Sequence, residues 1–140
     1  LTTSSLRAVL DASAVLALLL HEYGAHTVER LLPVSAIGTD NLTEVLIRCH
    51  AHGYQRPDLV ADLQGLGLQV VSATAVQAAR AAELVHLSRL EKDQHAGRSL
   101  SRADGQALAL AEDLDLPIVT GDRLWAELQH LVKVQIELFR

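Results

Sequence analysis

The stretch RAVLDASAVLALLL, residues 7 to 20, decides how the rest of the chain is read. Two apolar runs meet at one carboxylate, Asp11. The first, LRAVLD (6–11), reads as a short buried strand, and the second, SAVLALLLHE (13–22), as a mostly buried helix. Burying a carboxylate between them is costly unless something compensates it. A cap on the following helix would account for Asp11 on its own.

The same alternation continues outward. HTVERLLP (26–33) reads as a short helix stopped by Pro33, and SAIGT (35–39) as a small strand. NLTEVLIRCHAHG (41–53) reads as a helix with Leu42, Val45, Leu46 and Cys49 on one side and Gly53 as its end signal. RPDLVADLQGLG (56–67) places Pro57 near a first helical turn, where a missing N–H costs nothing. LQVVSA (68–73) is a strand, and TAVQAARAAELVHLSRL (74–90) is a long Ala-rich helix. EKDQHAGRS (91–99) is a polar connection. A helix (101–115), the strand LPIVTG (116–121), a helix (122–130) and a last strand VKVQIEL (132–138) close the chain. Strands alternating with helices imply an α/β fold with a mostly parallel sheet covered on both faces. Residues 1–140 read as one domain, without repeat or linker.

The composition, 49% apolar and 21% charged, is that of a folded chain, and the 3% of aromatics leaves Leu, Val, Ile and Ala to fill the core. A lone cysteine, Cys49, forms no internal disulfide, which fits a cytoplasmic setting. Ala8–Leu20 is 13 residues long with an aspartate inside it, against about 18 apolar residues for a membrane span. The net charge of −5 departs from the basic excess of non-specific nucleic-acid binders, so such a role would need local cations or metal ions.

Four acids share a position in this pattern. Asp11 ends the first strand. Glu44 lies in the first turn of the helix after the second. Asp104 lies in the first turn of the helix that leads to PIVT, and Asp122 directly follows PIVTG. Each has an ordinary structural reading. Asp11 can cap a helix, Asn41 can cap the helix that carries Glu44, Ser101-x-x-Asp104 is a capping box, and Gly121-Asp122 can be a turn and cap. Jointly they converge, because ligands bind parallel sheets along the carboxyl edge of the strands. Asp104 reaches that edge if helix 74–90 runs away from it and segment 91–99 returns the chain. Converging carboxylates repel one another, and a hard divalent cation such as Mg²⁺ resolves the repulsion with oxygen ligands. His50 and His52, two apart on a helix, point in different directions and make a poor zinc pair.

With these residues in place, the chain resembles the PIN-domain ribonucleases, and among them the VapC-type toxins of bacterial toxin–antitoxin pairs. The resemblance rests on AVLDASAVLALLL, NLTEVL, SLSRADGQALALAEDLDLPIVTGDRLW and the final strand, nearly the whole length. It implies a three-layer α/β/α sandwich. It implies an endoribonuclease dependent on Mg²⁺ or Mn²⁺, usually dimeric, acting on RNA and held inactive by a cognate antitoxin. Asp11, Glu44, Asp104 and Asp122 take the catalytic places, with Asp11, Asp104 and Asp122 as metal ligands. Ser13 and Thr120 match hydroxyls that orient a carboxylate or a water. Trp125 stands where an aromatic packing residue is common.

RNA contact is expected from the cations ahead of Asp104, Arg98 and Arg102 above all, with Arg89 and Lys92 beside them. No aromatic platform is present for base stacking, so recognition leans on backbone and shape. The apolar faces within 18–34 suit an antitoxin. Three rival readings are a free-standing RNA-processing nuclease, a phosphatase or phospho-receiver, and a non-catalytic PIN-like module. Ser13, where an aspartyl phosphatase would carry a second Asp, counts against the phosphatase. The filled acid set counts against the non-catalytic module.

Overall fold

The computed structural model describes residues 5–140; the first four residues of the expected domain lie outside the described part. Five short strands form the sheet: β1 (Ala8–Leu10), β2 (Ser35–Gly38), β3 (Gln69–Val71), β4 (Ile118–Thr120) and β5 (Ile136–Leu138). They are ordered β3-β2-β1-β4-β5. All four pairings are parallel, with Ala8 opposite Ser35, Val9 opposite Ile118 and Ile118 opposite Ile136. Seven α-helices accompany them: α1 (Ala12–Leu19), α2 (Ala25–Leu31), α3 (Thr39–Ala51), α4 (Leu59–Gly65), α5 (Ala75–Leu90), α6 (Arg102–Leu114) and α7 (Arg123–Glu127).

The strand pleat sorts side chains into two cores, because successive residues point to opposite faces. Ala8 and Leu10 join Val15, Leu32, Val45 and Leu63 under α1–α4. Val9, between them, joins Leu84, Leu108, Ile118 and Trp125 under α5–α7. The result is the three-layer α/β/α sandwich, and Trp125 is the packing residue expected of it. No helix among the described residues is long and apolar enough to cross a membrane.

Local chemistry sets the helix starts. Asp11 caps α1, Asp58 caps α4, Thr74 caps α5, and Ser101 with Asp104 forms a complete capping box on α6. Three expectations are corrected. Helix α3 begins at Thr39, with Gly38 in the cap position, so Asn41 is no cap. Asn41 is buried inside the first turn, and its Nδ2 donates to the Ala103 carbonyl at 3.2 Å, tying α3 to α6. Pro57 stands just ahead of Asp58, the cap of α4, near the first turn as expected, whereas Pro33 does not end its helical run but lies inside a single 3-10 turn, Leu32–Val34, that prolongs α2.

The third correction concerns the path to Asp104. Helix α5 lies antiparallel to α6, with Gln77 bonded to Asp113 at one end and the Leu100 amide to Ser88 Oγ at the other. It is α5 itself that ends beside the start of α6, and segment 91–99 does not carry the chain back across the sheet. Gly105 permits the close packing: a Cβ there would lie 2.8 Å from the Ala81 carbonyl oxygen.

Candidate active site

The strand order reverses at β1: β2 and β3 extend to one side, β4 and β5 to the other. Open parallel sheets bind ligands in the crevice at such a reversal, outside the strands' carboxyl ends. Asp11 stands there, its amide bonded to the Val119 carbonyl of β4 at 3.2 Å.

The Asp11 side chain is 6% exposed. Its Oδ1 accepts from Ser13 Oγ at 2.6 Å and from the Ala14 amide at 3.0 Å. Its Oδ2 accepts from Thr120 Oγ1 at 2.6 Å. The two hydroxyls are themselves anchored. Ser13 Oγ accepts from the Gly121 amide at 2.9 Å, and Thr120 Oγ1 from the Asp122 amide at 3.1 Å. The ends of β1 and β4 are thereby stitched around one carboxylate, and Ser13 and Thr120 both hold its orientation. Burial nevertheless pushes Asp11 up from 3.8 to about 6. The hydroxyls and the Ala14 amide pull against that rise, and the charge of Asp104 adds to it.

Asp104 is raised as well, first by burial, with the charges of Asp122 and Glu44 adding to it and the Ser101 contacts opposing. Its Oδ2 accepts from the Ser101 amide at 2.9 Å. Asp122 caps α7 through the Leu124 amide at 3.0 Å and is paired with Arg98. Glu44 is half-buried, and its side chain makes no hydrogen bond or ion pair among the described residues. Three of the four acids therefore do serve as helix caps. The capping and convergence readings are compatible, since a cap uses only part of a carboxylate's acceptor capacity.

The donor set fits a hard divalent cation: oxygen ligands only, with negative charge in excess. The arrangement is open. Among the described residues, no three His, Cys, Asp or Glu side chains close on one point as a ready-made metal cage. The charge of Asp104 acts on Asp11, so these two carboxylates are the ones that could share such a cation. His50 and His52 are both exposed at the end of α3, away from this chemistry.

Of the cations expected at RNA, Arg98 is engaged with Asp122, whereas Arg102 opens α6 as an exposed side chain without an ion partner among the described residues. Arg102 also lines, with Arg89, His86 and Gln106, a groove of about 400 Å³ between α5 and α6. The sequence reading missed the role of Asn41 as the α3–α6 tie. No local signal was available, since Asp40, Thr43 and Glu44 around it are polar as well.

These features define a parallel α/β protein with an acidic site at its topological switch point. The PIN domain profile matches residues 8–131, and the chain belongs to that family. Among curated proteins no sequence match is found. Solved structures with the same fold include DNA-bound VapBC from Salmonella typhimurium, at 16% identity and a TM-score of 0.65, covering 96% of this chain and 99% of that one. The sarcin-ricin loop cleaving VapC toxin of Mycobacterium tuberculosis aligns at 20% identity and a TM-score of 0.64, covering 86% and 94%. A toxin–antitoxin complex from Klebsiella pneumoniae aligns at 19% and 0.60, covering 82% and 86%.

Proposed function

We propose that this protein is an endoribonuclease dependent on Mg²⁺ or Mn²⁺, the toxin of a type II toxin–antitoxin pair, working in the cytoplasm as a homodimer and restrained by its antitoxin. One observation carries the reading. Asp11 is buried at the switch point and held by two hydroxyls, with the charge of a second raised carboxylate acting on it and no cationic side chain bonded to it among the described residues. Burial makes the charge of such a carboxylate costly, and a cation arriving from outside offsets that cost. Family membership and the fold shared with VapC toxins support nuclease chemistry and an antitoxin partner.

Asp11, Asp104 and Asp122 hold the ion in this reading. Bound there, it supplies charge neutralisation at the phosphodiester and a more acidic water for hydrolysis. The chain's own residues do the positioning. Ser13 and Thr120 fix the Asp11 carboxylate plane, the α6 capping box fixes Asp104, and Glu44, whose side chain has no partner among the described residues, orients the attacking water. Arg102, two residues from Asp104, is the side chain that this reading gives to the RNA backbone. The antitoxin is expected over the early helices. Tyr23 is 84% exposed there, beside a hollow lined by Leu18, His21 and Glu29.

The test is an assay of the purified chain on total RNA with Mg²⁺ or Mn²⁺ and with chelator. Cleavage is expected with either metal and none with chelator. Asp11→Asn and Asp104→Asn each keep the fold, by circular dichroism, and lower cleavage by roughly 10³-fold or more, about 4 kcal/mol of barrier. Full activity of both variants with metal present would sink the assignment.

A further inference from the structure

Of the four acids at the carboxyl edge, Asp122 alone is held by a cation of the same chain among the described residues. Arg98 Nη2 donates to Asp122 Oδ1 at 3.0 Å and lies 3.1 Å from Oδ2, so one nitrogen bridges both oxygens. The two side chains are 56% and 30% exposed, and an ion pair this open is weak and exchangeable. The backbone around Arg98 is fixed, in contrast. Its amide donates to the His95 carbonyl at 3.0 Å, after left-handed residues Ala96 and Gly97 have turned the chain, and the Leu100 amide is pinned to Ser88 Oγ. Asp122 does not depend on Arg98 for its position, because the Leu124 amide holds Oδ1 as the cap of α7.

Resting on the nuclease reading above, we infer that Arg98 is a built-in counter-ion for Asp122. It holds that carboxylate while the acid edge lacks a divalent cation, is displaced from it by the cation, and then presents its guanidinium to a phosphate of the RNA. A guanidinium bridging both oxygens of a carboxylate competes with an ion for the same lone pairs. Once freed, its planar set of N–H donors matches phosphate as well as it matched carboxylate. Arg98 thus opposes the cation and favours the substrate, so the two occupancies are coupled, and linkage makes the coupling reciprocal. The cation tightens RNA binding through Arg98, and RNA tightens cation binding by drawing Arg98 away.

The full-length chain, Arg98→Gln and Arg98→Lys are titrated with Mn²⁺ and followed by electron paramagnetic resonance, after melts verify that each variant folds. Arg98→Gln is expected to bind Mn²⁺ about 3- to 10-fold more tightly, the modest size of a half-exposed charge. Arg98→Lys is expected to stay within about twofold of the parent, since it keeps the charge. In a second titration, by fluorescence anisotropy, the Mn²⁺-induced gain in affinity for a phosphorothioate oligoribonucleotide should shrink at least about threefold in Arg98→Gln. Mn²⁺ affinity that is unchanged or weaker in Arg98→Gln overturns the counter-ion. A full RNA gain in that variant overturns the handover to phosphate. A parent chain that binds no Mn²⁺ overturns the nuclease reading and this one with it, whereas parent binding that is insensitive to residue 98 overturns this one alone.

Discussion

Two carboxylates withdrawn from solvent, the buried Asp11 and the partly buried Glu112, are treated in opposite ways. Glu112, about 12 Å further along α6 than Asp104, has a side chain 8% exposed. Arg80 donates to it through Nε at 2.7 Å and Nη2 at 3.0 Å, and the Lys133 amide through a third bond at 2.8 Å. Burial works to raise its pKa, but the Arg80 and Lys133 contacts outweigh it, and the net shift is downward. Asp11 also receives three hydrogen bonds, all from neutral donors, and burial wins. The difference is a guanidinium. Where the chain supplies its own cation, as at Glu112, a buried acid is lowered; Asp11, with no cationic side chain bonded to it among the described residues, is raised, and it is this acid that the proposed function gives to an external cation.

The largest way to break the comparison is to make the structural edge resemble the acidic one. Arg80→Ala leaves Glu112 buried and uncompensated and also exposes the Leu131 carbonyl that Arg80 Nη2 satisfies. A loss of about 3 kcal/mol or more is expected in urea melts. A change below about 1 kcal/mol would mean that the pair is screened like a surface salt bridge, and the contrast between the edges would fail. The next effect is on the other edge. Mg²⁺ at 100 times its dissociation constant should stabilise the parent by about 2.7 kcal/mol. Asp11→Asn should lose most of that response while Arg80→Ala keeps it, as read by melts with and without the ion.

Much of this was legible in the sequence because its causes are local. The strand-to-helix junction at Asp11, the Ser101–Asp104 capping box and the acids at strand ends are each written within a few residues. What failed was set by packing between distant segments. Asn41 has the chemistry of a cap, and nothing near it announces that its amide is spent on Ala103, 62 residues away. The direction of α5 depends on Gly105 admitting the Ala81 carbonyl, a contact between helices that no periodicity reveals. The bridge from Arg98 to Asp122 spans 24 residues. Residue types made each of them available for such a contact without saying that they would meet.

The smallest and most discriminating effect is the pH dependence of the two edges, which must have opposite signs. Asp11 is raised from 3.8 to about 6 in the folded chain. Between those values the folded state keeps a proton that the unfolded state has lost, so its contribution to stability falls as pH rises and levels off above about 6. The slope for one group is at most about 1.4 kcal/mol per pH unit. Glu112 is lowered, so its contribution is present above the ordinary glutamate value of 4.5 and is lost as pH falls through its folded value. In chelator, then, the stability advantage of Asp11→Asn over the parent should grow from pH 4 to 6 and stay flat from 6 to 8. The deficit of Arg80→Ala should instead persist across neutral pH and shrink only as the solution turns acidic. Saturating Mg²⁺ should flatten the first profile and leave the second untouched, because the external cation then does for Asp11 what Arg80 does permanently for Glu112. An Asp11→Asn advantage that ignored both pH and Mg²⁺ would mean that the buried acid is not poised for a cation at all.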